Sequence, residues 1–183
     1  MRCGKLCGCM LVVLTLVSAA HAQDDSFRKG SWDIELTGGY ITPIRFSEDK
    51  FYNVNIAAGY HLVDNLSFGP EVQAYYIDQP DENAIAAGVG VLGRWRFLNV
   101  DRFSVFIDGG GGVVYADPQV PQFGTHFNFT GKGGFGASFQ LSENFHVLAG
   151  VRYFHLSNGN IHGRDQNPSY DGIQIWGGIE WKF

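Results

Sequence analysis

Apolar and polar residues alternate with a period of two from residue 31 onward, and this alternation recurs in eight segments. In the first segment, Trp32 and Leu36 alternate with Asp33 and Glu35. Successive side chains of a β-strand point to opposite faces, so a period of two predicts strands, whereas helices would show a period near 3.6. The chain is therefore predicted to be all-β, and each strand has one apolar and one polar face.

The apolar face of these strands is rich in aromatic residues near the strand ends. A soluble sandwich would bury this face, but aromatic residues at strand ends are typical of the two girdles of a membrane barrel. The 25 glycines and 15% aromatic residues, at a mean hydropathy of only −0.07, also fit a barrel with an apolar outside and a polar inside. The aromatic residues concerned are Trp32, Tyr60, Tyr76, Trp95, Phe97, Phe103, Tyr153 and Trp181.

The polar face carries charges of both signs, which we expect to pair inside the barrel. Eight strands enclose too little space for a channel, so the interior is predicted to be filled by hydrogen-bonded side chains. The acids are Glu35, Glu71, Asp108 and Glu180, and the bases are Arg94, Arg96, Lys132, Arg152 and Lys182. The predicted fold is an eight-stranded antiparallel transmembrane β-barrel with a polar, filled interior.

Short and long connections alternate along the chain, as the short periplasmic turns and longer extracellular loops of outer-membrane barrels do. The short links span residues 61–65, 98–102 and 142–144. The long links span residues 42–50, 77–83, 117–124 and 158–172. With both chain ends in the periplasm, the four long links are extracellular, and the alternating last strand closes on an aromatic residue, Phe183.

The N-terminal segment has the features of a secretory signal peptide. A basic start is followed by a short apolar run and by Ala20-His21-Ala22, a small-x-small cleavage site. We predict a signal peptide over residues 1–22 and an outer-membrane β-barrel domain over residues 23–183. All three cysteines precede the expected cleavage point, so the mature chain has no disulfide framework. The net charge of −5 offers no basic surface for nucleic acid.

A potential catalytic pair lies at the end of the seventh segment. His155 and Ser157 are two residues apart, so they leave the strand on the same face as Tyr153, which is predicted to face lipid near the outer leaflet. Polar side chains that face lipid are energetically costly, so their presence on that face indicates a function. A histidine beside a serine is a minimal general base and nucleophile, and Asn158 with the backbone near Asn160 could donate to an oxyanion.

These residues resemble a known family. His155-Leu156-Ser157-Asn158 is similar to the His-x-Ser-Asn motif of the outer-membrane lipid A 3-O-deacylases, or PagL-type proteins, which are eight-stranded barrels. The resemblance is specific over roughly the last 40 residues and architectural before them. It implies a serine esterase that removes the ester-linked acyl chain at the 3-position of lipid A. It further implies His155 as base, Ser157 as nucleophile and Asn158 in the oxyanion hole.

The acidic partner of the histidine departs from the family pattern. The family has a glutamate at the start of the last strand, and the matching position here is Gln174, on the inward face. Two aspartates are nearby, Asp165 and Asp171. Asp171 shares the outward phase of Ile173, so we predict Asp171, rather than Asp165, as the group that orients His155.

The remaining expectations concern partners and alternatives. Lipid A or lipopolysaccharide is the expected substrate and outer-membrane lipids are the surroundings, while the residues leave open whether the barrel forms a homodimer. His155, His162 and Asp165 do not have the spacing of a metal site, so no metal or other cofactor is predicted. The alternative function, from a different class, is a non-catalytic barrel with a structural or adhesive role.

Overall fold

The computed structural model describes residues 27–44, 47–161, 163 and 167–183. The predicted signal peptide, residues 1–22, and the candidate acid Asp165 lie outside the described residues. Among the described residues, no helix has both the length and the apolar character needed to cross a membrane.

Eight antiparallel strands form one closed barrel in chain order, with β1 also paired to β8. This confirms the predicted strand number and topology. The strands are β1 (Trp32–Pro43), β2 (Lys50–Val63), β3 (Leu66–Asp78), β4 (Ala84–Val100), β5 (Phe103–Val120), β6 (Thr125–Ser142), β7 (Phe145–Ser157) and β8 (Tyr170–Lys182).

Short turns and longer loops alternate as the sequence predicts, but the strands extend further into the links than the sequence predicts. The link predicted for residues 117–124 is shorter in the structure, because β5 continues to Val120 and β6 begins at Thr125. The pairing of the two strands shifts between Tyr115 and Val120, so this end of the hairpin is irregular. A strand prediction based on strict alternation stops at such an irregularity, since the period of two is broken there.

Apolar side chains cover the outside of the barrel and form two aromatic bands. At the short-turn end, Trp32 packs against Tyr60 with ring centroids 5.0 Å apart. At the long-loop end, the rings of Tyr52 and Tyr76 are 6.2 Å apart. Rings at these two levels are where membrane barrels meet the lipid headgroups, so the predicted apolar-out arrangement is confirmed.

Ion pairs fill the middle of the barrel. Arg94 contacts Glu35 at 2.5 Å and Asp108 at 3.2 Å, and Arg152 binds the same Asp108 at 2.6 Å. The predicted internal pairing of acids and bases is therefore confirmed. Two further pairs join Lys132 to Glu71 and Arg96 to Glu180. Lys182 lies 3.9 Å from the ring centre of Phe27, which is buried inside the barrel.

The interior at the long-loop end is apolar, which differs from the predicted polar filling. Inward residues there form one buried cluster, in which the rings of Phe51 and Tyr170 lie 4.4 Å apart. The cluster comprises Ile41, Phe51, Tyr75, Ile77, Ala84, Ala86, Val114, Ala116, Val120, Phe154, Leu156 and Tyr170. These residues lie in the rows that are polar deeper in the barrel, so apolar packing covers the ion pairs from this end.

Candidate active site

The two neighbouring strands β7 and β8 carry the candidate catalytic residues on the outer wall of the barrel. Phe154 and Leu156 point into the apolar core, so the intervening His155 and Ser157 point outward. Asp171 stands directly opposite His155 in the β7–β8 ladder. Cross-strand partners have Cβ atoms about 5 Å apart, so this register places an acid within reach of the imidazole.

His155 forms hydrogen bonds to both expected partners. Its Nδ1 lies 2.8 Å from Asp171 Oδ1, and its Nε2 lies 3.1 Å from Ser157 Oγ. A carboxylate can only accept, so Nδ1 carries the proton and Nε2 is left to accept from the serine hydroxyl. The side chain of His155 is 39% exposed and that of Asp171 is 11% exposed. The serine hydroxyl, the imidazole and the carboxylate are thus joined in one row of hydrogen bonds on a partly covered surface.

The position that carries the acid in the resembling family points away from this group. Gln174 is buried inside the barrel, where its Nε2 donates to Asn53 Oδ1 at 2.9 Å. Gln174 lies on the opposite face of β8 from Asp171, so its side chain cannot contact His155. Of the two predicted aspartates, Asp171 contacts the histidine, and Asp165 is not among the described residues.

A network of asparagines holds the chain that follows the serine. The N–H of Asn158 donates to Asn167 Oδ1 at 2.9 Å, and the N–H of Asn160 donates to Asn158 Oδ1 at 2.9 Å. Asn167 in turn donates to Asn160 Oδ1 at 2.9 Å. Asn160 has a φ of 62° and Gly159 a φ of 64°, which is the left-handed conformation that asparagine and glycine tolerate. Asn167 was missed as a site residue because it is nine positions away and follows no strand pattern.

The loop between β1 and β2 supports β8 next to Asp171. The N–H of Ile44 donates to the backbone oxygen of Asp171 at 3.0 Å, and the hydroxyl of Tyr170 donates to the backbone oxygen of Asp49 at 3.3 Å. The backbone that presents Asp171 is therefore anchored from the neighbouring loop.

Burial raises the pKa of the Asp49 carboxyl above its usual value, and the hydrogen bond of this carboxyl with Ser47 opposes the rise.

Comparison with known proteins places the chain in a family. The model of the family described as Lipid A 3-O-deacylase (PagL) matches residues 53–179, which include all the candidate catalytic residues. The chain belongs to the lipid A 3-O-deacylase family. It is therefore a hydrolase of the Gram-negative outer membrane that acts on lipid A, and the lipid A 3-O-deacylase activity predicted from the His-x-Ser-Asn resemblance is confirmed at the level of the family.

Solved structures with a similar fold are also outer-membrane barrels. The outer membrane enzyme PagL matches with a TM-score of 0.63 and 17% identity, covering 80% of this chain and 97% of that one. Neisserial surface protein A matches with a TM-score of 0.61 and 16% identity, covering 84% and 96%. OprG from Pseudomonas aeruginosa matches with a TM-score of 0.55 and 11% identity, covering 86% and 98%. No curated protein matches the sequence of this chain.

Proposed function

We propose that this deacylase cleaves the 3-position ester of lipid A through Ser157, His155 and Asp171. The observation that carries the proposal is the continuous chain of hydrogen bonds from Ser157 Oγ through the imidazole to Asp171 Oδ1. Such an order of groups activates a serine hydroxyl, because the imidazole removes the proton while the carboxylate fixes its tautomer.

The proposed reaction has two steps. Ser157 Oγ attacks the ester carbonyl carbon as its proton moves to His155 Nε2. The tetrahedral intermediate then expels the sugar oxygen at the 3-position, which takes that proton and leaves the acyl chain on Ser157. Water, deprotonated by His155, attacks this acyl-enzyme, and the proton returns to Ser157 Oγ when the fatty acid leaves.

The position of the serine suits a substrate held in the membrane. From Phe145 to His155, ten residues at about 3.3 Å with a tilt of about 40° rise roughly 25 Å, about the height of the apolar band. Ser157 is therefore at the level where the sugar and the ester bonds of lipid A meet its acyl chains. A substrate could reach Ser157 laterally from the outer leaflet.

For the oxyanion we propose the backbone N–H of Asn158, the residue that directly follows the nucleophile. Asn158 as a whole residue is only 1% exposed, and its side-chain Oδ1 already accepts a hydrogen bond from the N–H of Asn160, so the backbone N–H is the donor that we propose. Its N–H is bonded to Asn167 Oδ1, and a substrate oxyanion would take the place of that oxygen. Asn160, whose N–H binds the Asn158 side chain, would then hold the donor in position.

All three groups of the proposed triad come from one chain, so the chemistry does not need a homodimer. The sequence leaves dimerisation open, and light scattering of the purified barrel in detergent measures it directly.

The test is mass spectrometry of lipid A from cells that express the wild-type chain, Ser157→Ala or His155→Ala. We expect loss of the 3-linked acyl chain with the wild type only, while both variants keep the heat-modifiable gel band of a folded barrel. Identical lipid A from wild-type and Ser157→Ala cells would refute the assignment of the nucleophile.

A further inference from the structure

Tyr153 contacts the candidate active site, although its position would assign it only to the aromatic girdle. It lies two residues before His155 on the same outward row, and its side chain is well exposed. Its hydroxyl donates a hydrogen bond to Asp171 Oδ1. The same oxygen accepts the hydrogen bond from His155 Nδ1. One carboxylate oxygen thus joins the tyrosine to the base.

The tyrosine leans toward β8 and away from β6. On β6 its cross-strand partner is Gly133, and among the described residues only a backbone oxygen of Asp108 lies within 4 Å of the Cβ position of that glycine. The ring therefore does not cover the open space over β6. On β8, Tyr153 is paired with Ile173, and Asp171 is the diagonal neighbour. Diagonal neighbours of an antiparallel pair are within reach of an aromatic side chain, which accounts for the contact.

The carboxylate of Asp171 needs such a donor because of where it lies. Its side chain is only 11% exposed, on a wall that faces lipid. A charge with little access to water is costly unless hydrogen-bond donors compensate for the lost hydration. Tyr153 supplies one donor and His155 Nδ1 the other, so the carboxylate is held in the orientation that His155 requires.

We infer that Tyr153 is a positioning residue of the deacylase, which acts on the serine through Asp171 and His155. The inference rests on the proposed function, since it needs Asp171 to orient His155. The aromatic ring keeps its place in the girdle, and the hydroxyl positions Asp171. Removing the hydroxyl alone should therefore slow the chemical step without changing how lipid A is bound.

The test compares Tyr153→Phe with Tyr76→Phe, a girdle tyrosine at the same end of the barrel whose ring packs on Tyr52. Each purified, folded barrel is assayed for fatty-acid release from lipid A in mixed micelles. It is also assayed for the rate at which a fluorophosphonate probe labels Ser157. We expect Tyr153→Phe to lower kcat and the labelling rate roughly tenfold, with KM within about twofold of the wild type. Tyr76→Phe should match the wild type.

A double-mutant cycle with Asp171→Asn decides whether the tyrosine acts through the acid. If it does, adding Tyr153→Phe to Asp171→Asn changes the labelling rate by less than about twofold. An undiminished tenfold loss in that background, or wild-type rates for Tyr153→Phe alone, would overturn the inference. A wild-type rate for Tyr153→Phe beside an inactive Ser157→Ala would leave the proposed function standing, whereas an active Ser157→Ala would refute that function itself.

Discussion

Replacing Asp171 by asparagine removes the negative charge beside His155 and keeps the size of the side chain. In the proposed mechanism, this charge stabilises the imidazolium that His155 becomes when it takes the serine proton. Unit charges about 4 Å apart attract by about 4 kcal/mol near a protein surface and by about 1 kcal/mol in bulk water. The imidazole is 39% exposed, so an intermediate value of about 2.5 kcal/mol applies. This corresponds to a loss of roughly 70-fold in kcat.

The assay is fatty-acid release by the purified Asp171→Asn barrel, with two matched controls. Asp165→Asn tests the second candidate acid, and Gln174→Glu restores an acid at the position where the resembling family has one. We expect Asp165→Asn to keep wild-type activity. We expect Gln174→Glu to give no rescue of Asp171→Asn, because residue 174 is buried inside the barrel. A threefold or smaller loss for Asp171→Asn, or a large loss for Asp165→Asn alone, would refute the assignment of the acid.

Three further predictions concern the stability of the folded barrel, measured by the temperature at which the heat-modifiable gel band is lost. Glu71→Leu removes the ion-pair partner of the buried Lys132 and should lower the free energy of unfolding by about 3 to 5 kcal/mol. The double variant Glu71→Leu/Lys132→Met should recover most of this loss. A double variant that is less stable than either single variant contradicts this prediction. Gly131→Ala adds a methyl group in open space and should stabilise the strand by about 0.5 to 1 kcal/mol. Gly134→Ala would overlap a backbone oxygen of the neighbouring strand and should destabilise it, so equal effects of the two would contradict the packing. The raised pKa of Asp49 means that the folded barrel binds the carboxyl proton more tightly than the unfolded chain does. Stability should therefore fall as the pH rises from the ordinary pKa of aspartate through the raised pKa of Asp49. Asp49→Asn should flatten this pH dependence, and an unchanged pH profile contradicts the prediction.

The local pattern of the sequence was sufficient to predict the strands and their two faces, and to place His155 and Ser157 on the same face. This follows from strand geometry, since side chains two residues apart share a face whatever the rest of the chain does. The charged residues of the inward rows, such as Arg94 and Asp108, could be placed inside the barrel for the same reason, whereas only the structure shows which acid contacts which base. The predicted polar filling was wrong near Phe51 and Tyr170, because it followed from the charged residues in the middle of the strands, although the period of two places both of these aromatic side chains on the inward rows.

By itself, the sequence determined an antiparallel barrel with an apolar outside, and it placed a serine and a histidine together on the outer wall. The tertiary structure decided which side chains lie beside this pair. Asp171 faces His155 because of the register of β7 against β8, and Tyr153 reaches the same carboxylate as a diagonal neighbour. That register depends on the hydrogen-bond ladder of the closed barrel and on the loop between these strands. A side-chain period of two fixes the face of each residue, but it does not fix its partner on the next strand.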